Sequence, residues 1–289
     1  MSDNRLVNGL RTDASAPPLH PLAPFERAAF RLMDFLQRRA GGLTEAWLRG
    51  VTVSWMTLGS RWMMFPVGLE RLRHLRPSDG ILLVANHRTF SDLYMLLTLL
   101  HRFSELRQPA LCPVRADFFY QRPLGVAVNL LVGAGRMFPP FFRDPTRQEL
   151  NRWGLRRLAE VLRNGHVIVG FHPEGQRNRN PDPYTPLRAQ PGVGKLVLEA
   201  RPVVVPAFIH GLTNHIASDI RDNLRRRRRV VAVFGEPMDL SALCAQGDRM
   251  ATHKRIADTL LQRIYQLGEE ERAFRLRVFG TLEPAGALP

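Results

Sequence analysis

Short apolar runs recur along the middle of the chain, at residues 81–85, 110–114, 167–171, 203–208 and 230–234. They are rich in β-branched residues and apolar throughout, which is typical of strands buried on both faces of a sheet. Helical patterns separate them. The clearest has Asp144 as its N-cap, Pro145 at its first position and Gly165 at its end. The pattern predicts an α/β fold with a mostly parallel central sheet flanked by helices.

A different pattern occupies residues 25–70. On a helical wheel at about 100° per residue, one arc of roughly 80° contains the apolar residues Trp47, Val51, Trp55, Leu58, Trp62 and Phe65. Tryptophan suits a membrane interface because its ring is apolar and its N–H needs a polar partner. The stripe therefore predicts either a helix lying in one leaflet or a helix packed against the α/β core. Pro66 is expected to end it.

These patterns divide the chain into three parts. Residues 1–24 are polar and proline-rich and predict a flexible leader without a signal peptide. Residues 25–70 form the predicted amphipathic, membrane-associating helical segment. Residues 71–289 form the α/β domain, which ends in a helix over about 249–267. The apolar windows are too short to cross a bilayer.

The net charge of +15 and the pI near 11.3 predict attraction to polyanions, whether phospholipid, nucleic acid or an acidic carrier protein. The arginine run at 225–229 is either a solvated connector or a contact for lipid phosphates. The two cysteines, Cys112 and Cys244, lie far apart, so the sequence indicates neither a disulfide framework nor a cysteine metal site. This cysteine usage fits a reducing compartment.

The stretch "NHRTFSD" follows the first strand directly, with His87 and Asp92 separated by four residues. In an open parallel sheet, ligands bind beyond the carboxyl ends of the strands. If a helix begins near Asp92, its carboxylate can accept a proton from one imidazole nitrogen and leave the other free as a base. The alternative is that Asp92 caps a helix and His87 only fills a turn.

The third strand ends in a second polar motif, "VIVGFHPEGQRNR", whose polar residues should reach the same edge of the sheet. Gly175 would allow close approach of the backbone to a ligand, and the Arg177 guanidinium suits a phosphate. Glu174 could hold that arginine or a substrate hydroxyl. His172 is a candidate to line the cleft. The remaining histidines predict no metal site.

Three ordered motifs together resemble the 1-acylglycerol-3-phosphate acyltransferase family of glycerolipid acyltransferases. They are the His-x4-Asp motif "NHRTFSD", then "PEGQR", then the apolar stretch "PVVVP" at 202–206. The resemblance implies an acyltransferase fold, His87 and Asp92 as the catalytic dyad, and Glu174, Gly175 and Arg177 as acceptor-binding residues. Arg143, in the altered block "GRMFPPFFRD", is a further candidate for the acceptor phosphate.

The function implied by the resemblance is transfer of a fatty acyl group from acyl-CoA or acyl carrier protein to a lysophospholipid hydroxyl, without a bound cofactor. The expected acceptor is 1-acylglycerol 3-phosphate, the product phosphatidic acid, and the location the cytoplasmic face of an anionic membrane, as a peripheral or monotopic protein. Two alternatives remain: acylation of a lyso-aminolipid without phosphate, and a catalytically silent basic protein that binds membrane or nucleic acid. The intact His87–Asp92 pair argues against the catalytically silent alternative and its nucleic-acid partner, because a silent protein does not need both residues.

Overall fold

The structure is a computed structural model that describes residues 16–284. A six-stranded sheet with the order β1-β8-β7-β2-β6-β3 forms its centre, and β4 pairs with β5 in a small second sheet. The strands are β1 Met64–Val67, β2 Gly80–Ala85, β3 Ala110–Leu111, β4 Val114–Arg115, β5 Pro140–Phe141, β6 Val167–Phe171, β7 Val203–His210 and β8 Val230–Phe234.

Helices cover both faces of this sheet. They are α1 Pro24–Arg39, α2 Gly41–Trp47, α3 Val53–Ser60, α4 Asp92–Phe103, α5 Ala116–Phe119, α6 Pro123–Leu131, α7 Gln148–Asn164, α8 Pro191–Ala200, α9 Ile216–Leu224, α10 Ser241–Cys244 and α11 Met250–Phe279. A π-helical turn, Leu48–Thr52, joins α2 to α3. One core cluster lies under α7, α8 and α11, and a second lies under α3 and α4. A third joins α1 to α7 through Phe30 and Trp153.

The predicted fold class is confirmed. Strands β7, β2, β6 and β3 are parallel neighbours, and they are buried on both faces as their continuous apolar sequences predict. The exception is β8, which runs antiparallel to β7 and carries β1 as a parallel edge strand. The predicted run at 110–114 is divided, because Pro113 has no N–H for a ladder and falls between β3 and β4.

The N-terminal segment differs from the single amphipathic helix predicted from the tryptophan stripe. The last helix of the segment ends at Ser60, and Met64–Val67 is instead a strand that pairs with β8. The helical prediction through Phe65 is therefore wrong, because the β-sheet edge offers the extended Met64–Val67 stretch a ladder of backbone hydrogen bonds. The stripe also divides by burial: Trp47 is exposed, whereas Trp55 packs against the core under α4.

The proposed division at residue 70 thus crosses one continuous sheet, since β1 lies before it. Of the predicted leader, residues 1–15 lie outside the described residues. The predicted helix at 144–165 begins with a 3₁₀ turn, in which Asp144 accepts from the Thr146 N–H, and it ends at Gly165. The predicted C-terminal helix continues beyond residue 267 to Phe279. Within residues 16–284, every helix falls short of the length and apolarity needed to span a membrane.

Candidate active site

Sheet register brings the two polar motifs together. Strands β2 and β6 are parallel neighbours in which Val84 pairs with Phe171, so the loops after them leave the same edge side by side. Asn86 anchors the first loop to β7: its side-chain amide donates to the Ile209 carbonyl at 2.9 Å and accepts from the Ile209 N–H at 2.8 Å. This paired contact fixes the position at which His87 leaves the sheet.

Asp92 is the first residue of α4, and its carboxylate turns back toward His87. The distance from His87 Nδ1 to Asp92 Oδ2 is 3.4 Å. The same carboxylate accepts from the N–H groups of Arg88 and Thr89 at 2.6 and 2.7 Å and from the Thr89 hydroxyl at 2.5 Å. Asp92 is therefore held rigidly in place by its own loop.

The charge state of Asp92 follows from these partners. Burial alone would raise the pKa of Asp92, but the hydrogen bond and charge of His87, helped by His172 and Thr89, outweigh burial and lower the pKa. An ionised carboxylate only accepts, so His87 Nδ1 carries a proton toward Asp92, and in the neutral form of the ring Nε2 has the lone pair. This is the arrangement that a general base requires.

His172 lies flat against His87. The ring centroids are 3.8 Å apart and the planes differ by 10°. His172 Nδ1 donates to the Ala85 carbonyl at 3.0 Å, and burial together with His87 lowers the pKa of His172 to about 3. The ring is therefore neutral at physiological pH.

Potential ligand atoms of His87, Asp92 and His172 lie within 4.8 Å of one another. A metal ion binds an imidazole nitrogen in the plane of the ring. Because the two rings are stacked, an ion in the plane of one would lie off the plane of the other. The cluster therefore does not suit a shared metal ion.

Glu174, predicted to contact the acceptor, is buried with both oxygens occupied by groups of the protein. Oε2 accepts from the His87 N–H at 2.9 Å, and Oε1 accepts from the Tyr265 hydroxyl at 2.9 Å and the Leu187 N–H at 3.1 Å. Its carboxylate is not among the cavity-lining groups. In this structure the carboxylate holds the His87 backbone N–H, and its lone pairs already serve donors of the fold.

Gly175 lines the cavity with a φ of +66°, a left-handed conformation that favours glycine. A Cβ at this position would meet Gln190 Cγ at 2.8 Å. A side chain here would therefore strain the turn and push against the neighbouring loop. The left-handed backbone conformation therefore favours glycine at this position.

The structure separates the two predicted arginines. Arg177 lines the cavity, donates to the Asn214 side-chain oxygen at 3.0 Å and lies 4.0 Å from the centroid of the Phe90 ring. Arg143 is exposed and lies outside the cavity lining. Arg115, which pairs with Asp117, lines the cavity instead. The sequence carried no motif around Arg115 that could have indicated this position.

The cavity beside His87 has a volume of about 520 Å³, within the usual range for small-molecule sites of about 300–1,000 Å³. His87, Arg115 and Arg177 are among its polar groups. Its apolar side chains include Leu93, Val114, Phe141, Leu155, Phe171 and Val193. The site therefore combines a base, two cations and an apolar wall.

The chain is similar to a solved structure and to the model of a protein family. The crystal structure of PlsC, the 1-acyl-sn-glycerophosphate (LPA) acyltransferase from Thermotoga maritima, matches with a TM-score of 0.45 and 16% identity, over 92% of this chain and 96% of that chain. No curated protein matches the sequence. The model of the family described as Acyltransferase matches residues 67–210, which include both polar motifs and β2, β6 and β7. The resemblance seen in the motifs is thereby confirmed, and residues 67–210 are a domain of the acyltransferase family.

Proposed function

We propose that the protein transfers a fatty acyl group from an acyl thioester to the hydroxyl of a lysophospholipid. The observation that carries the proposal is the His87–Asp92 pair beside an apolar cavity that also contains Arg177. Membership of the acyltransferase family supports the reaction type. The acyl donor is a thioester of coenzyme A or of acyl carrier protein, and the reaction needs no bound cofactor.

The chain's own residues account for the proton transfers. His87 Nε2 takes the proton of the acceptor hydroxyl as the oxygen attacks the thioester carbonyl, and Asp92 stabilises the resulting imidazolium. The tetrahedral intermediate then breaks its C–S bond. The leaving thiolate takes the proton from His87, which returns the base to its starting state. The apolar cavity wall suits an acyl chain.

The proposed acceptor is 1-acylglycerol 3-phosphate, and the product is phosphatidic acid. Arg177 supports this choice, because a guanidinium can donate two charge-assisted hydrogen bonds to a phosphate. Arg115 supplies a second cation on the same cavity. A lyso-aminolipid without phosphate is the second candidate. Arg143, which was predicted to bind the acceptor phosphate, is exposed and does not line the cavity.

We also propose that the protein works as a peripheral protein on an anionic membrane, because acceptor and product are water-insoluble. Helices α2 and α3 and the π-helical turn between them present an exposed apolar face consisting of Leu43, Trp47, Val51 and Leu58. Trp47 also donates to the Leu131 carbonyl at 2.9 Å, so its ring is oriented beside the exposed Leu131 of α6. This surface, called the α2–α3 face below, is the proposed membrane contact.

The reaction is tested by incubating the full chain with acyl-coenzyme A and acyl carrier protein thioesters against phosphate and amine lysolipids, and identifying products by mass. His87→Ala should abolish transfer, and Asp92→Asn should reduce it by about 10²-fold or more because the histidine loses its orienting acceptor. His74→Ala, at an exposed histidine, is the matched control. Turnover retained by folded His87→Ala protein would refute the role of His87 as the base.

A further inference from the structure

His172 has no part in the reaction described so far, yet it makes the closest aromatic contact of the proposed base. Its ring centroid is 3.8 Å from that of His87, shorter than the separation of about 4.5–7 Å found for most aromatic pairs. The two residues come from adjacent strand ends, and the Gly175 N–H donates to the His172 carbonyl at 3.0 Å. The stack is therefore built into the two motif loops.

The ring of His172 is fixed in one chemical form. A carbonyl only accepts hydrogen bonds, so the contact with Ala85 places the proton on His172 Nδ1. The low pKa of His172, about 3, keeps the ring uncharged at the pH of the reaction. Above and below an uncharged aromatic ring the potential is negative, and a cation within about 6 Å of the face is attracted to it.

His87 becomes such a cation when it accepts a proton. We propose that His172 is a positioning residue whose neutral ring face stabilises the His87 imidazolium and holds the plane of that ring. The inference rests on the proposed function, because it assigns a support to the proposed base. Asp92 would contact the edge of the imidazolium while His172 covers its face.

Several other groups surround His87, and their charges stay in place when His172 is replaced. Those on its own loop, on the neighbouring motif loop and across the cavity are Arg88, Asp92, Glu174, Arg177, Arg115 and Asp117. A neutral substitution at His172 leaves this set intact. Any change in the protonation of His87 can then be assigned to the lost ring.

The test compares His172→Leu with His172→Phe in the full-length protein. Leucine fills the space without an aromatic face, and phenylalanine restores the face without the nitrogens. His172→Leu should lower kcat by about 3- to 30-fold with little change in KM, and should move the acidic limb of the kcat profile to lower pH. His172→Phe should stay within about 3-fold of the unsubstituted protein and keep the limb in place. His74→Leu serves as the control.

A second measurement does not depend on turnover. The imidazole resonance of His87, assigned with a His87→Gln variant, is followed by NMR across the pH range. Its titration midpoint should move to lower pH in His172→Leu by about 0.4 to 1.5 units and should stay in place in His172→Phe. An unmoved midpoint in the leucine variant, or equal shifts in both variants, would overturn the role of the ring face. Activity retained by His87→Ala would instead refute the proposed base and leave the NMR result standing.

Discussion

At the residue scale, two arginines with the same charge have very different surroundings. Arg177 is held by the Asn214 side chain and the face of Phe90, at the wall of the cavity. Arg143 is exposed to solvent. A guanidinium that is already oriented loses little side-chain entropy when it binds a phosphate, so Arg177 is suited to recognise the acceptor.

We expect Arg177→Lys to raise the KM for a phosphomonoester lysolipid about 5- to 150-fold, equivalent to about 1–3 kcal/mol, because lysine cannot donate a bidentate pair. Use of the thioester should change little. Arg143→Lys is the matched control and should behave like the unsubstituted protein. Steady-state kinetics with phosphate and non-phosphate lysolipids make the comparison. Equal losses on both acceptor classes would assign Arg177 to loop support and make the lyso-aminolipid the leading acceptor.

At the element scale, the segment after β6 depends on α11. The Glu174 carboxylate accepts a hydrogen bond from the Tyr265 hydroxyl of α11. The Tyr184 hydroxyl donates to the Glu271 carboxylate of the same helix at 2.6 Å. The backbone N–H of Asn178 donates to the His87 carbonyl at 2.6 Å. The C-terminal helix therefore holds the second motif loop, and this loop holds His87 through its backbone.

Glu174→Gln tests this support. A glutamine has one accepting oxygen, so its NH₂ group must face either the His87 N–H or the Leu187 N–H, and one backbone donor loses its partner. We expect the free energy of unfolding to fall by about 2–3 kcal/mol and kcat to fall at least 10-fold, while KM for the acceptor changes little. Urea unfolding and kinetics measure these effects, with exposed Glu149→Gln as the control. A selective rise in acceptor KM would restore the role first predicted for Glu174.

Much of this site follows from sequence, because local rules determine it. Continuous apolar strands indicate the parallel sheet, and the carboxyl edge of that sheet indicates where His87 and Asp92 lie. The role of Glu174 could not be predicted, because its partners Leu187 and Tyr265 lie far along the chain. Strand β1 was missed because Met64–Val67 is extended only through its pairing with β8, a contact that no local pattern encodes.

At the scale of the whole molecule, the apolar α2–α3 face lies next to a basic surface. The α2–α3 face ends near Trp62, whose ring lies under the guanidinium groups of Arg61 and Arg226 at 4.7 and 5.6 Å. The exposed arginines at 225–227 continue the basic surface beyond α9. An apolar face beside a cluster of cations is suited to an anionic leaflet.

Replacing Leu43, Trp47 and Leu58 together by serine should weaken partitioning onto phosphatidylglycerol vesicles at least 10-fold, because each side chain would otherwise be buried in the interface. Leu43 and Leu58 are largely exposed, and serine at Trp47 also removes its hydrogen bond to the Leu131 carbonyl, so the free energy of unfolding should fall by only about 1 kcal/mol. Serine at Met250, Leu276 and Val278, which are exposed on α11, is the matched control. Vesicle sedimentation gives the comparison, and unchanged partitioning would refute the α2–α3 face as the membrane contact.

The pairing of β1 with β8 has a consequence for how the protein is made. Residues 64–67 leave the ribosome well before their partner strand, which begins only at Val230. At a translation rate of about 5–20 residues per second, β1 has no pairing strand for on the order of ten seconds after its synthesis. The helices before β1 have already emerged by then, so a nascent chain can meet a bilayer before its sheet is complete. With the α2–α3 face as the proposed membrane contact, association and folding are expected to proceed together during synthesis.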